Sequence, residues 1–177
     1  IVHRVMGTSY LGLGDLAMAA AELEQSLALS RAAGYNEHEG CLYHNLGATY
    51  ELMGDIETAA ACFQQALSYY ETARRPWALA NTLNSIGVSQ YHRGDYDSAQ
   101  QALQRALDLA HRAGYARTEA YTLASLGDLH RDQGDLGQAI QEYREGLRIA
   151  QQVKDSFIKV YLLVALGDVC RLQGRRQ

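Results

Sequence analysis

Apolar and polar positions along the chain alternate with a helical period. Leu16, Ala19, Leu23 and Leu27 stand at offsets of 0, 3, 7 and 11 and draw one apolar stripe along a helix. The stripe returns as Ile56, Ala59, Phe63 and Leu67, and again as Tyr96, Ala99, Leu103 and Leu107. Between these runs lie others of helical spacing, such as Tyr43, Leu46, Tyr50 and Met53, or Leu123, Leu126 and His130. The pattern predicts pairs of helices, a first-type helix followed by a second-type helix, in an all-α chain.

The pairs keep a fixed period. Gly7, Gly47, Gly87, Gly127 and Gly167 fall in one column of 40 residues, and Gly14, Gly54, Gly94, Gly134 and Gly174 in another. Ten of the 16 glycines thus obey one repeat, the mark of stacked supersecondary units. The second column is expected to close each first-type helix in the left-handed conformation. Asp15, Asp55, Asp95 and Asp135 follow it and suit helix N-caps; Asp135 with Gln138 resembles a capping box. Second-type helices are expected to stop near Gly34, Arg75–Pro76, Gly114 and Lys154–Asp155, with Pro76 in the first turn of the next helix. The first glycine column lies inside a helix, where glycine costs about 0.5–1 kcal/mol relative to alanine. Close approach to the Ala19, Ala59, Ala99 and Ala139 column is the expected compensation.

Tyr43-x-x-Leu46-Gly47-x-x-Tyr50, followed by Ala59-x-x-x-Phe63, resembles the tetratricopeptide (TPR) signature. The other units keep the glycine, the alanine and a large residue four beyond it (Leu23, Leu103, Tyr143). The period of 40 exceeds the usual 34, and no proline closes the second helix. The longer form resembles the repeats of Leu-Gly-Asn-type adaptors and of bacterial maltose-activator-type regulators. The resemblance implies an α-solenoid, a right-handed superhelix of stacked antiparallel helix pairs. The expected organisation is a single array segment with pairs at about 1–35, 36–75, 76–115 and 116–154, then a lone first-type helix over 156–173. Neither end carries a polar cap, so a segment of a longer array, or ends that pair with another copy, is expected.

Composition narrows the function. Sixteen Lys+Arg against 20 Asp+Glu give a net charge of −4, which offers no footprint for nucleic acid or anionic lipid. No apolar run approaches a membrane span. Cys41, Cys62 and Cys170 are odd in number and read as reduced thiols of a cytoplasmic protein. The chain opens at Ile1 with no basic-then-apolar leader.

In such an array the first-type helices line the concave face. Residues there, off the apolar stripe, vary from unit to unit, as a surface that reads a non-repetitive partner would. The candidate partner-binding residues are Arg4, His44, Glu51, Asn81, Asn84, Tyr91, Tyr121, Asp128, Arg131, Tyr161, Asp168 and Arg171. The tyrosines are favoured at interfaces, and Asn81 and Asn84 can bond an extended backbone. Asp128–Arg131 and Asp168–Arg171 share a three-residue spacing and read first as surface ion pairs. Alanine at Tyr91, Asn84 or Arg131 is expected to weaken partner binding and leave the melting temperature nearly unchanged. A carboxylate-gripping groove, as in chaperone-binding repeats, would need more cations than Arg4, Arg131 and Arg171 supply.

Chemistry is sparse. His38 and His44 are about 240° apart around a helix, so with Cys41 they do not converge on a metal. His130 and Cys170 share the column of Tyr10 and Tyr50 and read as core. His130-Arg131-Asp132 lacks the other kinase motifs, and the turn itself dictates Gly94 and Asp95 of Arg93-Gly94-Asp95. The expectation is a non-enzymatic scaffold without cofactor that holds a peptide or helix of a protein partner. The alternative is an effector-sensing or regulatory domain of a bacterial multidomain protein, and self-association through the ends is a third option.

Overall fold

The computed structural model describes residues 10, 12 and 14–174. Among these it contains eight α-helices and no strand: α1 (Leu16–Ala32), α2 (Glu39–Leu52), α3 (Ile56–Thr72), α4 (Pro76–His92), α5 (Tyr96–Ala113), α6 (Ala116–Gln133), α7 (Leu136–Gln152) and α8 (Ser156–Gly174). A 3-10 turn, Asn36–His38, precedes α2. Even-numbered helices are of the first type and odd-numbered ones of the second. Pro76 is the first residue of α4, where its missing N–H is not needed.

The Asp column caps as expected. Asp15, Asp55, Asp95 and Asp135 accept from the backbone N–H of Met18, Thr58, Ser98 and Gln138 at 3.0–3.2 Å. The capping box at Asp135 does not form. Its backbone N–H already donates to the His130 carbonyl at 2.9 Å, and the Gln138 side chain turns instead to Glu142 at 3.3 Å.

Second-type helices end on a left-handed residue at one fixed register: Gly34, Arg74, Gly114 and Lys154, with φ of 70°, 51°, 71° and 56°. Arg74 and Lys154 hold there a conformation that crowds their Cβ. Each of Arg74→Gly and Lys154→Gly is expected to stabilise by about 0.5–1 kcal/mol, with relieved strain partly offset by the freer unfolded chain. Urea unfolding measures it.

The helix-interior glycines have a different partner from the expected one. A Cβ on Gly47 would lie 2.7 Å from the Phe63 ring, and one on Gly87 2.5 Å from Leu103 Cγ. One on Gly127 would fall inside contact distance of the Tyr143 ring. Each glycine is thus a socket for the large residue four beyond the alanine, rather than chiefly for the alanine itself. Ala59, Ala99 and Ala139 are fully buried alongside. Gly7 lies outside the described residues, and a Cβ on Gly167 would meet nothing within 4 Å.

The chain divides into two compact units, Ile1–Ser85 and Ile86–Gln177, with the boundary inside α4. In the first unit Leu23, Leu27, Leu42, Leu46 and Cys62 form a core, flanked by Tyr43 and Tyr50. The Tyr50 hydroxyl donates to Glu24, and Arg31 donates to the Tyr43 hydroxyl. In the second unit Leu123, Leu136, Tyr143, Ile149, Ile158, Leu162 and Val169 pack with small residues between α6, α7 and α8. Leu103, Leu126 and Leu129 join α5 to α6. Two stripe residues depart from the sequence reading. Tyr96 and Cys170 are exposed, and Cys170 sits on a side of α8 that no described helix covers.

Candidate functional site

The first-type helices of the second unit bring hydroxyl, carboxylate and guanidinium groups together. Asp128 follows the socket glycine of α6, so the Tyr143 ring that fills the socket places its hydroxyl against Asp128 Oδ1, at 2.7 Å. Arg131 Nη1 donates to the same oxygen at 3.0 Å, and the Tyr161 hydroxyl of α8 donates to Oδ2. One turn on, Asp132 accepts from Arg131 Nε at 2.8 Å and from the Tyr91 hydroxyl of α4 at 2.5 Å. Two carboxylates, one guanidinium and three phenols therefore form one network of net charge −1.

Burial and hydrogen bonding fix its protonation. Burial first, then the bond to Asp132, pushes the Tyr91 phenol up to about 12. Burial and Asp128 raise Tyr143 and Tyr161 in the same way, so all three remain donors. Burial opposes the Asp132 carboxylate, but bonds from Arg131 and Tyr91 hold its pKa below the ordinary value. Burial likewise opposes the Arg131 charge, and the Asp132 bond with the Tyr143 and Asp128 interactions more than offsets it.

Other predicted residues are placed differently. Asp168 and Arg171 form the exposed ion pair expected of them, at 2.9 Å. Tyr121 is half-buried with the Arg117 guanidinium 5.8 Å from its ring centre, and Arg117 pairs with Asp155 at 2.8 Å. In the first unit, His44 Nδ1 lies 3.1 Å from the Thr82 hydroxyl, with its ring edge-on to Phe63. Asn81, Asn84 and Glu51 are half-buried on α4 and α2, and Asn84 Oδ1 is buried without a hydrogen-bond partner. Arg4 lies outside the described residues. Tyr91 and Arg131 thus brace structure, and alanine at either is expected to lower stability as well.

Burial lowers the His44 pKa from its ordinary value of 6.5. The unfolded chain then binds the proton more readily than the folded one. Stability is complete above about pH 6.5 and declines as the pH falls through the folded value. His44→Gln is expected to flatten that slope in urea unfolding across a pH series.

Asp132, Tyr143 and the pair His130–Glu142 were not singled out from sequence as site residues. His130 Nδ1 lies 2.8 Å from Glu142 Oε2, both nearly buried, and burial raises the Glu142 pKa. A buried tyrosine needs a partner for its hydroxyl, and that need beside the Gly127 socket was the available signal. Among the described residues no group of three His, Cys, Asp or Glu side chains could hold a metal ion. No described helix is long and apolar enough to cross a membrane. A cleft of about 430 Å³ in the first unit is lined by Ser26, Leu29, Ser30, Ala33, Tyr35, Glu37 and His38, none of them a predicted site residue.

The pattern of the family described as "MalT-like TPR region" matches residues 46–175, and a tetratricopeptide repeat pattern matches residues 1–72. No curated protein matches the chain significantly. Among solved structures, apo RapI is similar with a TM-score of 0.85 at 14% identity, over 98% of this chain and 64% of that one. Aspartyl phosphate phosphatase F from Bacillus subtilis gives 0.83 at 16%, over 97% of this chain and 47% of that one. The Cut9–Hcn1 hetero-tetramer of APC/C gives 0.71 at 22%, over 94% and 29%. At these identities the likeness is one of fold, that of a helical solenoid.

Proposed function

The chain belongs to the MalT-like TPR region family, and from that premise we propose that it is a non-catalytic protein-interaction scaffold. Its partner, a peptide or helix of another protein, lies on the first-type helix face expected to line the concave groove. The supporting observation is the network Tyr91–Asp132–Arg131–Asp128–Tyr161. It locks amphipathic side chains into one arrangement, so a ligand meets a surface that loses little entropy on binding. Tyr161 is 41% exposed and Arg131 keeps further N–H groups, so the network retains donors and aromatic surface for a partner. His44, Asn81, Asn84 and Glu51 extend the reading to the first unit, and Tyr121, Asp168 and Arg171 within the second. The two units are taken as parts of one array acting in the cytoplasm. The acidic and hydroxyl groups are bonded to one another rather than poised on a substrate, which favours binding over catalysis.

Selection of random displayed peptides on the purified chain tests this. Selected peptides are expected to lose about tenfold or more in affinity on Tyr161→Ala and to bind Trp77→Ala, a variant on another surface, unchanged. Peptides that bind both variants equally would contradict the placement. The family match and the 430 Å³ cleft favour a second reading, a regulatory domain that senses a small effector. A thermal-shift screen of sugars and metabolites, with a hit abolished by Tyr35→Ala, is the result that reading requires.

A further inference from the structure

α8 repeats a face that is closed elsewhere in the chain. α6 carries Leu126-Gly127-Asp128-Leu129-His130-Arg131, and α8 carries Leu166-Gly167-Asp168-Val169-Cys170-Arg171. In α6 the Tyr143 ring covers Gly127, its hydroxyl bonds Asp128, and Ala120 and Leu123 are 0% and 6% exposed. In α8 the space over Gly167 is open, and the counterparts Val160 and Leu163 are 60% and 48% exposed. Phe157 and Val164, at 74% and 60%, widen the same side at helical spacing. The opposite side of α8, with Ile158, Leu162, Ala165 and Val169, is buried. One contiguous apolar face marks an interaction site in a way that scattered exposed residues do not.

We propose that this face of α8 docks one amphipathic helix of a partner polypeptide that carries alanine and, four residues on, tyrosine. The ring fills the space over Gly167 and the hydroxyl donates to Asp168. The chain supplies the precedents at the same register: Phe63 over Gly47, Leu103 over Gly87 and Tyr143 over Gly127. The residue after the socket glycine tells which large residue fits. Ala48 and Val88 accompany Phe63 and Leu103, whereas Asp128 accompanies Tyr143. Asp168 stands in that position on α8, paired with Arg171 as Asp128 is with Arg131. A buried tyrosine hydroxyl needs such an acceptor. This inference stands independently of the Tyr91–Tyr161 face described above.

The probe is a synthetic peptide copying residues 135–152, the chain's own helix with Ala139 and Tyr143, titrated into the whole chain by calorimetry. It is expected to bind. Gly167→Leu should weaken it about tenfold or more by filling the socket, while circular dichroism shows an intact fold, because the side chain meets nothing in the free protein. A peptide with Phe at the tyrosine position should bind about fivefold more weakly to the native chain, and equally well to native and Asp168→Ala chains. No binding, or binding indifferent to Gly167→Leu, would overturn the proposal. So would light scattering that shows the chain alone dimerising through a face closed by Gly167→Leu, since the occupant would then be a second copy.

Discussion

Gly127→Ala is expected to destabilise the chain by about 2–3 kcal/mol, and Gly167→Ala, in the same column, to stabilise it by about 0.5–1 kcal/mol. The opposite signs follow from what stands over each glycine. The Tyr143 ring occupies the space a Cβ at 127 would need. That ring cannot swing aside, because it is fully buried and its hydroxyl is held by Asp128. At 167 the same substitution meets open space, so only the gain in helix propensity remains. Urea unfolding of the two variants beside the native chain measures both.

The second large effect is at Asp128. Asp128→Ala removes the acceptor shared by Tyr143, Arg131 and Tyr161 and is expected to cost about 3 kcal/mol, because buried donors lose their partner. Adding Tyr143→Phe recreates the Ala48–Phe63 combination of the first unit. It should recover roughly half of that loss, since removing both ends of a buried bond is milder than removing one. The remainder belongs to Arg131 and Tyr161. Denaturant midpoints of the three proteins check the order native, double variant, single variant.

Much of the fold was legible because the repeat samples each position several times. The caps at Asp15, Asp55, Asp95 and Asp135, the turn glycines and Pro76 each rest on local backbone chemistry, and local chemistry can be read along a chain. Facing relations cannot. The alanine and the large residue four beyond it lie on one stripe, and periodicity does not say which of them meets the glycine. The structure gives Phe63, Leu103 and Tyr143. The strained Arg74 and Lys154 were hidden for a related reason: their residue types do not announce a left-handed backbone, and only the glycines at 34 and 114 hint at it.

The site was legible in part. Helical spacing placed Tyr91, Asp128, Arg131 and Tyr161 on first-type helices. It did not show that these groups bond to one another across α4, α6 and α8. Variation between units was read as a surface shaped by a ligand, yet at column 128 part of it answers an internal partner. The position is Ala or Val beneath Phe63 or Leu103, and Asp beneath Tyr143. Only the packing of second-type helices onto first-type ones exposes that correspondence.

The sharpest measurement is a double-mutant cycle between residues 127 and 143. If the glycine exists to seat the tyrosine ring, Gly127→Ala should lose most of its cost once Tyr143→Ala has emptied the space. The coupling should then favour the double variant by about 1.5 kcal/mol or more. Effects that add to within about 0.5 kcal/mol would contradict the account.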